Sequence, residues 1–154
     1  MSAKVQKDIE MGMRTILILL SLVSACLACK SSLYGEWTDD KTQQTVTFSS
    51  SGVTGWDVRV FSYTVNTWKC TEESTDQILI SSSPVDIYSL YFVLHRCITV
   101  TKETDCKYQI TFNNPVEPNA GYERVTVLMK NDDATLSMCS SDGETRTITK
   151  NGCL

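Results

Sequence analysis

The single histidine, His95, and the cysteines Cys29, Cys70, Cys97, Cys106, Cys139 and Cys153 have the widest chemical range in the chain, and their spacing narrows it. One histidine excludes zinc sites built on several histidines, His-Glu-x-x-His proteases and paired-histidine relays. A Ser or Cys hydrolase with His95 as its sole base stays open. No Gly-x-Ser-x-Gly elbow accompanies it, though, and beside Arg96 in an apolar run His95 reads as an ordinary strand residue. No two of the six cysteines stand in a Cys-x-x-Cys spacing, which sets aside zinc ribbons and thiol exchange. These six of the chain's seven cysteines read as three structural disulfides, and sequence leaves their pairing open. One local scheme joins Cys97 to Cys106 across a hairpin and Cys139 to Cys153 at the C-terminus, leaving Cys29 for Cys70.

The remaining polar clusters offer little. Paired acids occur at Asp39 and Asp40, Glu72 and Glu73, Asp132 and Asp133, and Asp142 with Glu144. Such pairs serve calcium or glycoside hydrolysis in the right frame. None has the spacing of a calcium loop and all fall where turns are expected, so they read as solvated turn residues. There is no Gly-rich phosphate loop and no Asn-x-Ser/Thr acceptor, Asn151-Gly152-Cys153 being a marginal one. No catalytic residue, metal or cofactor is expected.

The N-terminus sets the compartment. Lys4, Lys7 and Arg14 precede an uninterrupted apolar run over residues 15–28 that ends in small residues. The run falls short of the roughly 20 residues that span a bilayer, so a signal peptide over 1–28 is expected, with no membrane span in the mature form. An alternative is lipid attachment at Cys26, since Val23-Ser24-Ala25-Cys26 has the shape of a bacterial lipoprotein box. Cleavage after Ala28 removes Cys26 and lipidation uses up its thiol, so either route leaves an even six of the seven cysteines for a single disulfide-linked domain, 29–154. Losing 1–28 takes three basic and two acidic residues, turning the net charge of −4 into −5. A mildly acidic domain with no basic patch is not built for nucleic acid or anionic lipid.

The elements that hold these residues are strands. From Leu33 onward, short alternating segments rich in Val, Ile, Thr, Tyr and Phe are separated by polar turn clusters. Strands are expected over 35–38, 45–49, 57–64, 67–71, 77–81, 87–95, 97–101, 107–113, 122–130, 135–139 and 145–149, with no helix in the mature chain. Turns are expected at 50–52, Gly55, 81–84, 113–115, 118–121, 131–133 and 142–143. Alternation is cleanest at Cys106, Tyr108, Ile110 and Phe112. It falters over 57–65, where a bulge near Val60 or burial on both faces would account for it. The nearly all-apolar run 87–94 belongs in a central strand or against a second layer. The pattern is all-β, an antiparallel meander closed into a small barrel, with a sandwich as the alternative. Trp37 and Trp68 read as core. Trp56, following Gly55, is a candidate exposed contact for a sugar ring or a partner surface.

Leu33-Tyr34-Gly35-Glu36-Trp37, just inside the mature N-terminus and ahead of a run of strands, resembles the Gly-x-Trp opening of lipocalin and wider calycin barrels. That resemblance implies a Trp closing the barrel floor against a basic residue from a late strand, beneath a cup for a small apolar ligand. It makes Trp37, Val46, Phe48, Tyr108, Ile110 and Phe112 candidate floor or cup residues. The Thr-Asp-Tyr-like turn and the C-terminal helix of that family are absent from the sequence. A second pattern runs from Gly35-Glu36-Trp37 through 45–48, Trp68-Lys69-Cys70 and 94–100 to Cys106. It resembles uncharacterised cysteine-containing extracellular modules of arthropod and mollusc proteins, which carry no assigned activity.

The expectation is a secreted, non-enzymatic binding or recognition module for an extracellular protein, a glycan or a small apolar ligand. A lipocalin-like carrier is the first alternative and a secreted inhibitor or enzyme the second.

Overall fold

The computed structural model describes residues 29–153. The expected signal peptide over 1–28 and the alternative anchor at Cys26 lie outside the described residues. The chain opens with a 3₁₀ turn, Ser31–Leu33, and then runs through strands β1 (Gly35–Asp39), β2 (Thr45–Ser49), β3 (Gly52–Val60), β4 (Tyr63–Glu73) and β5 (Gln77–Ser82). There follow β6 (Val85–Ile87), β7 (Leu90–Thr104), β8 (Lys107–Phe112), the two-residue strands β9 (Val116–Glu117) and β10 (Glu123–Arg124), β11 (Thr126–Met129) and β12 (Glu144–Lys150).

Each of β1 to β4 pairs antiparallel with the next, β5 pairs with β7, β7 with β8, β8 with β12, and β12 returns to β1. That circuit is a closed, eight-stranded up-and-down barrel. Closure leaves no unpaired edge around the ring, which is how a small all-β domain avoids edge-to-edge association. The closing seam sets Trp37 opposite Lys150 and Asp39 opposite Ile148. Inward positions alternate as the pleat requires, with Val46 and Phe48 on β2, Tyr108, Ile110 and Phe112 on β8, and Ile148 on β12 all buried.

Five expected strands are redrawn. The segment 57–64 is broken by a tight turn at Phe61 and Ser62, so β4 begins at Tyr63. The bulge lies earlier than Val60: pairing with β4 slips between Thr54 and Val58. There Gly55 (φ 101°) and Trp56 (φ 50°) take left-handed backbone, and a Cβ on Gly55 would stand 2.7 Å from the Thr45 carbonyl oxygen. Gly55 thus marks a bulge inside β3 rather than a turn. The segments 87–95 and 97–101 become the hairpin β6–β7, turning at Tyr88 (φ 54°) and Ser89 (φ 66°), and β7 then runs unbroken through Cys97. The segment 122–130 divides between β10, paired with β9, and β11, paired with β7. Residues 135–139 form a 3₁₀ turn, Leu136–Met138, instead of a strand.

That turn belongs to a strap that crosses the outside of the barrel after β11. Its Leu136 N–H donates to the Glu72 carboxylate at 2.6 Å, and Ser140 N–H donates to the Asn113 carbonyl. The strap gives β5 and β7 the second layer that their two-sided burial implies, with Leu79, Ser81, His95 and Cys97 all buried on the face away from the barrel axis.

The disulfides are Cys29–Cys70, Cys97–Cys139 and Cys106–Cys153. The first agrees with the local scheme and the other two overturn it. Cys106 sits at the β7–β8 turn, whereas Cys97 faces Asn113 far along the hairpin. At about 3.3 Å per residue the two are separated by roughly 20 Å or more of strand. The whole of β12 likewise stands between Cys139 and Cys153. The bonds observed instead tie the chain entrance to β4, the strap to β7, and the C-terminus to the β7–β8 turn.

Candidate ligand site at the barrel mouth

The two ends of the barrel differ. At the end where β1 begins, Trp37 is fully buried and donates its indole N–H to the Leu33 carbonyl at 2.6 Å. Tyr108 meets its ring edge-on at 5.3 Å, and the Lys150 ammonium of the last strand lies 5.5 Å from the ring centroid. Above this floor Phe48, Trp56 and Phe112 pack edge to face, with centroids 5.6 Å (Phe48 and Trp56) and 5.0 Å (Trp56 and Phe112) apart. Trp56 is therefore a core residue, correcting the expectation of an exposed contact. The Gly55 bulge turns its ring inward, and its indole N–H donates to Asp39 Oδ2 at 2.8 Å. Trp68 lies in the same interior and donates to the Gly55 carbonyl at 3.0 Å. Trp37, Val46, Phe48, Tyr108, Ile110 and Phe112, taken together as floor or cup residues, are all buried and belong to one core cluster.

Toward the other end the interior turns polar. Asp39, expected at a solvated turn, is fully buried; besides Trp56 it holds the backbone N–H groups of Lys41 and Thr42 and lies 3.5 Å from Arg146. Arg96 and Arg146 place their guanidinium groups 4.7 and 4.9 Å from the Phe112 ring centroid. Glu123, carried in by β10, accepts from Arg96 at 2.9 Å and lies 3.5 Å from Arg146. Burial pulls the Arg96 pKa down to about 10, against the pull of Glu123 in the other direction. Arg146 is also penalised by burial, but Glu144, Asp39 and Glu123 outweigh that and raise its pKa. Every carboxylate of this layer is engaged by arginine, so the cluster holds the barrel together and offers no free acid-base pair.

His95 lies outside this interior, on the strap side of β7. Its Nδ1 is 2.8 Å from Ser81 Oγ, directly across the β5–β7 pair, and Ser81 in turn contacts Thr71 at 3.0 Å. Burial lowers the His95 pKa. Lys130, Asp132 and Asp133 of the strap line a small cleft beside it. Among the described residues no group of three or more His, Cys, Asp or Glu could hold a metal ion, and no helix is long and apolar enough to cross a membrane.

The largely apolar cavity opens at the mouth. There β7 overhangs the closed barrel, its first residues pairing with β6 on one side and β11 on the other. The inner face of that overhang carries Ile87, Leu90, Phe92 and Val127, and Val60 and Phe61 of the β3–β4 turn face it. Between them lies a cavity of about 330 Å³, rimmed by Tyr88, Glu117 and Asn119. Phe61 is 52% exposed and Tyr88 87%, their rings meet at 6.0 Å, and both occupy left-handed backbone. A third exposed aromatic in that conformation, Tyr122 (φ 60°), follows the 3₁₀ turn Pro118–Ala120, which packs against β3. L-residues pay roughly 1–2 kcal/mol for this conformation, and such strain concentrates at ligand clamps and switch regions.

None of the expected floor or cup residues lines this cavity. The signals that mark it in sequence are the nearly all-apolar run at 87–94 and bulky residues where turns carry Gly or Asn. Comparison with protein-family models, with curated proteins and with solved structures finds no match.

Proposed function

We propose that the protein is an extracellular, non-enzymatic binding module whose ligand is a small, mainly apolar molecule held at the barrel mouth. The observation that carries this reading is the 330 Å³ cavity walled by Val60, Phe61, Ile87, Leu90, Phe92 and Val127. Its volume falls at the lower end of the range for small-molecule sites, about 300–1,000 Å³. Two of its aromatics are held open to solvent by turn backbone, which is a poor use of apolar surface unless something covers it. Three disulfides support an oxidising, extracellular setting. The up-and-down barrel and the Lys150 contact on Trp37 support a lipocalin-like reading, in which the ligand rests at the rim because aromatic and arginine side chains occupy the interior.

The test is a neutral polarity-sensitive fluorescent probe, N-phenyl-1-naphthylamine, titrated into the oxidised protein. Saturable binding at micromolar protein is expected, lost in Leu90→Asp; because Leu90 is 50% exposed, the variant should keep its fold, checked by an unchanged circular dichroism spectrum. No binding by the parent protein, or equal binding by Leu90→Asp, would overturn the proposal.

A further inference from the structure

The charge distribution of the mouth goes further than its shape, and what it says rests on the binding reading above. One charged side chain lines the cavity, the carboxylate of Glu117; no lysine or arginine does. Glu117 is fixed in place because its Oε1 accepts both the backbone and side-chain N–H of Asn119 at 3.0 Å, capping the 3₁₀ turn. Its Oε2 accepts no hydrogen bond and enters no ion pair among the described residues, in contrast to the arginine-bound carboxylates inside the barrel. The other polar lining residue is Asn119, and the rings of Phe61, Tyr88 and Phe92 complete the wall. Aromatic faces attract cations through their quadrupoles, and a single half-buried carboxylate supplies the counter-charge. The domain is acidic as a whole, which draws cations toward it and repels anions.

We infer that the mouth selects a small organic cation, a protonated amine on an apolar body, with the ammonium at Glu117 and the body between Phe61, Phe92 and Val127. A neutral molecule of the same shape fills the cavity and leaves Glu117 unpaired. An anionic one places its charge against it.

The experiment is isothermal titration calorimetry at pH 7 on the full oxidised protein with three matched probes: naphthylethylamine, naphthylethanol and naphthylpropionic acid. The amine is expected to bind about tenfold more tightly than the alcohol, the size of a desolvated cation–aromatic contact with its counter-charge, and the acid more weakly than both. Glu117→Gln keeps the side-chain oxygen that caps Asn119. It should bring the amine down to the affinity of the alcohol, with alcohol binding changing far less than amine binding. Equal binding of amine and alcohol by the parent protein, or an amine preference that survives Glu117→Gln, would overturn the inference and leave the apolar site standing. If none of the three probes binds, the mouth is not a small-molecule site and both readings fall together.

Discussion

At Tyr88 the backbone fixes the sign of a stability change, and with it the logic of the mouth can be tested. Tyr88 sits at φ 54° and is 87% exposed, so truncating it removes little buried surface. Its edge contact with Phe61, centroids 6.0 Å apart, is worth about 0.5–1 kcal/mol. Tyr88→Ala loses that contact and keeps the left-handed strain, so it should destabilise by about 0.5–1 kcal/mol. Tyr88→Gly loses the same contact but sheds roughly 1–2 kcal/mol of strain, offset by roughly 0.5–1 kcal/mol of extra chain entropy in the unfolded state. The Gly variant should therefore be the more stable of the two by about 0.5–1 kcal/mol. In an ordinary extended position the order is reversed, by roughly the same amount.

Urea unfolding of the oxidised variants reads this directly. At an m-value of about 2 kcal/mol/M, the Gly midpoint should lie about 0.25–0.5 M above the Ala midpoint with m unchanged. Phe61, at φ 50°, should show the same order. Both Tyr88 variants lose the ring from the cavity rim, so fluorescent probe affinity should fall equally in the two while their stabilities diverge. An Ala variant as stable as the Gly variant would refute the claim that the turn holds its aromatic at a conformational cost.

Other consequences follow from the interior and the strap. Arg96→Met should cost about 2–4 kcal/mol in urea unfolding, below the top of the range for breaking a buried pair, because Glu123 keeps Arg146 at 3.5 Å and is partly exposed. A double-mutant cycle with Glu123→Gln should show a coupling of about 1–3 kcal/mol. The His95 pKa is lowered in the folded state, so below its unfolded value of 6.5 the unfolded chain binds more protons and stability falls with falling pH. His95→Asn should flatten the thermal midpoint between pH 7.5 and 5.5, and an unchanged slope would remove His95 as the cause. Peptide mapping should recover Cys97 joined to Cys139, and replacing both with Ser should cost roughly 4 kcal/mol on the chain-entropy account of a loop of 42 residues. A Cys97 to Cys106 peptide would contradict the register of the β7–β8 hairpin.

The strands with clean alternation and Gly or Asn at their ends were legible in sequence: β1, β2, β8 and β12 lie within a residue or two of expectation, as does β5, a short apolar run between polar turn clusters. Their hydrophobic faces and their turns agree, and that agreement is what specifies a register. The turns at Phe61 and Tyr88 were not legible, because turn grammar reads positive φ through Gly and Asn, and aromatic residues carry it here at a cost that local sequence does not show. Trp56 was misplaced for the related reason that Gly55 serves a bulge inside a strand. Arg96 and Arg146 were hidden because a charged residue on a strand is assumed to face water. Only the three-dimensional proximity of Glu123, Asp39 and Phe112 makes their burial tolerable. The cysteine pairing failed where local spacing stood in for strand length.

The mouth exists because two neighbouring strands are unequal. β7 runs for 15 residues and β8 for 6, so β8 deserts its partner near Cys97. Asn113, Asn114 and Pro115 enforce that departure. Asn113 makes the last backbone bond, its N–H donating to the Cys97 carbonyl at 2.9 Å. Asn114, fully buried, uses its side-chain oxygen to take the Cys97 N–H at 2.6 Å, and Pro115 has no N–H with which to continue the ladder. The vacated edge of β7 is taken by β11, anchored where the Asn114 amide donates to Thr126 at 3.0 Å. An eight-stranded barrel is just wide enough for its own side chains, and three tryptophans and two arginines take up the interior here. The space left open is the overhang, where the proposed ligand would sit. The residues that create it are thus a polar pair and a proline that do not line it.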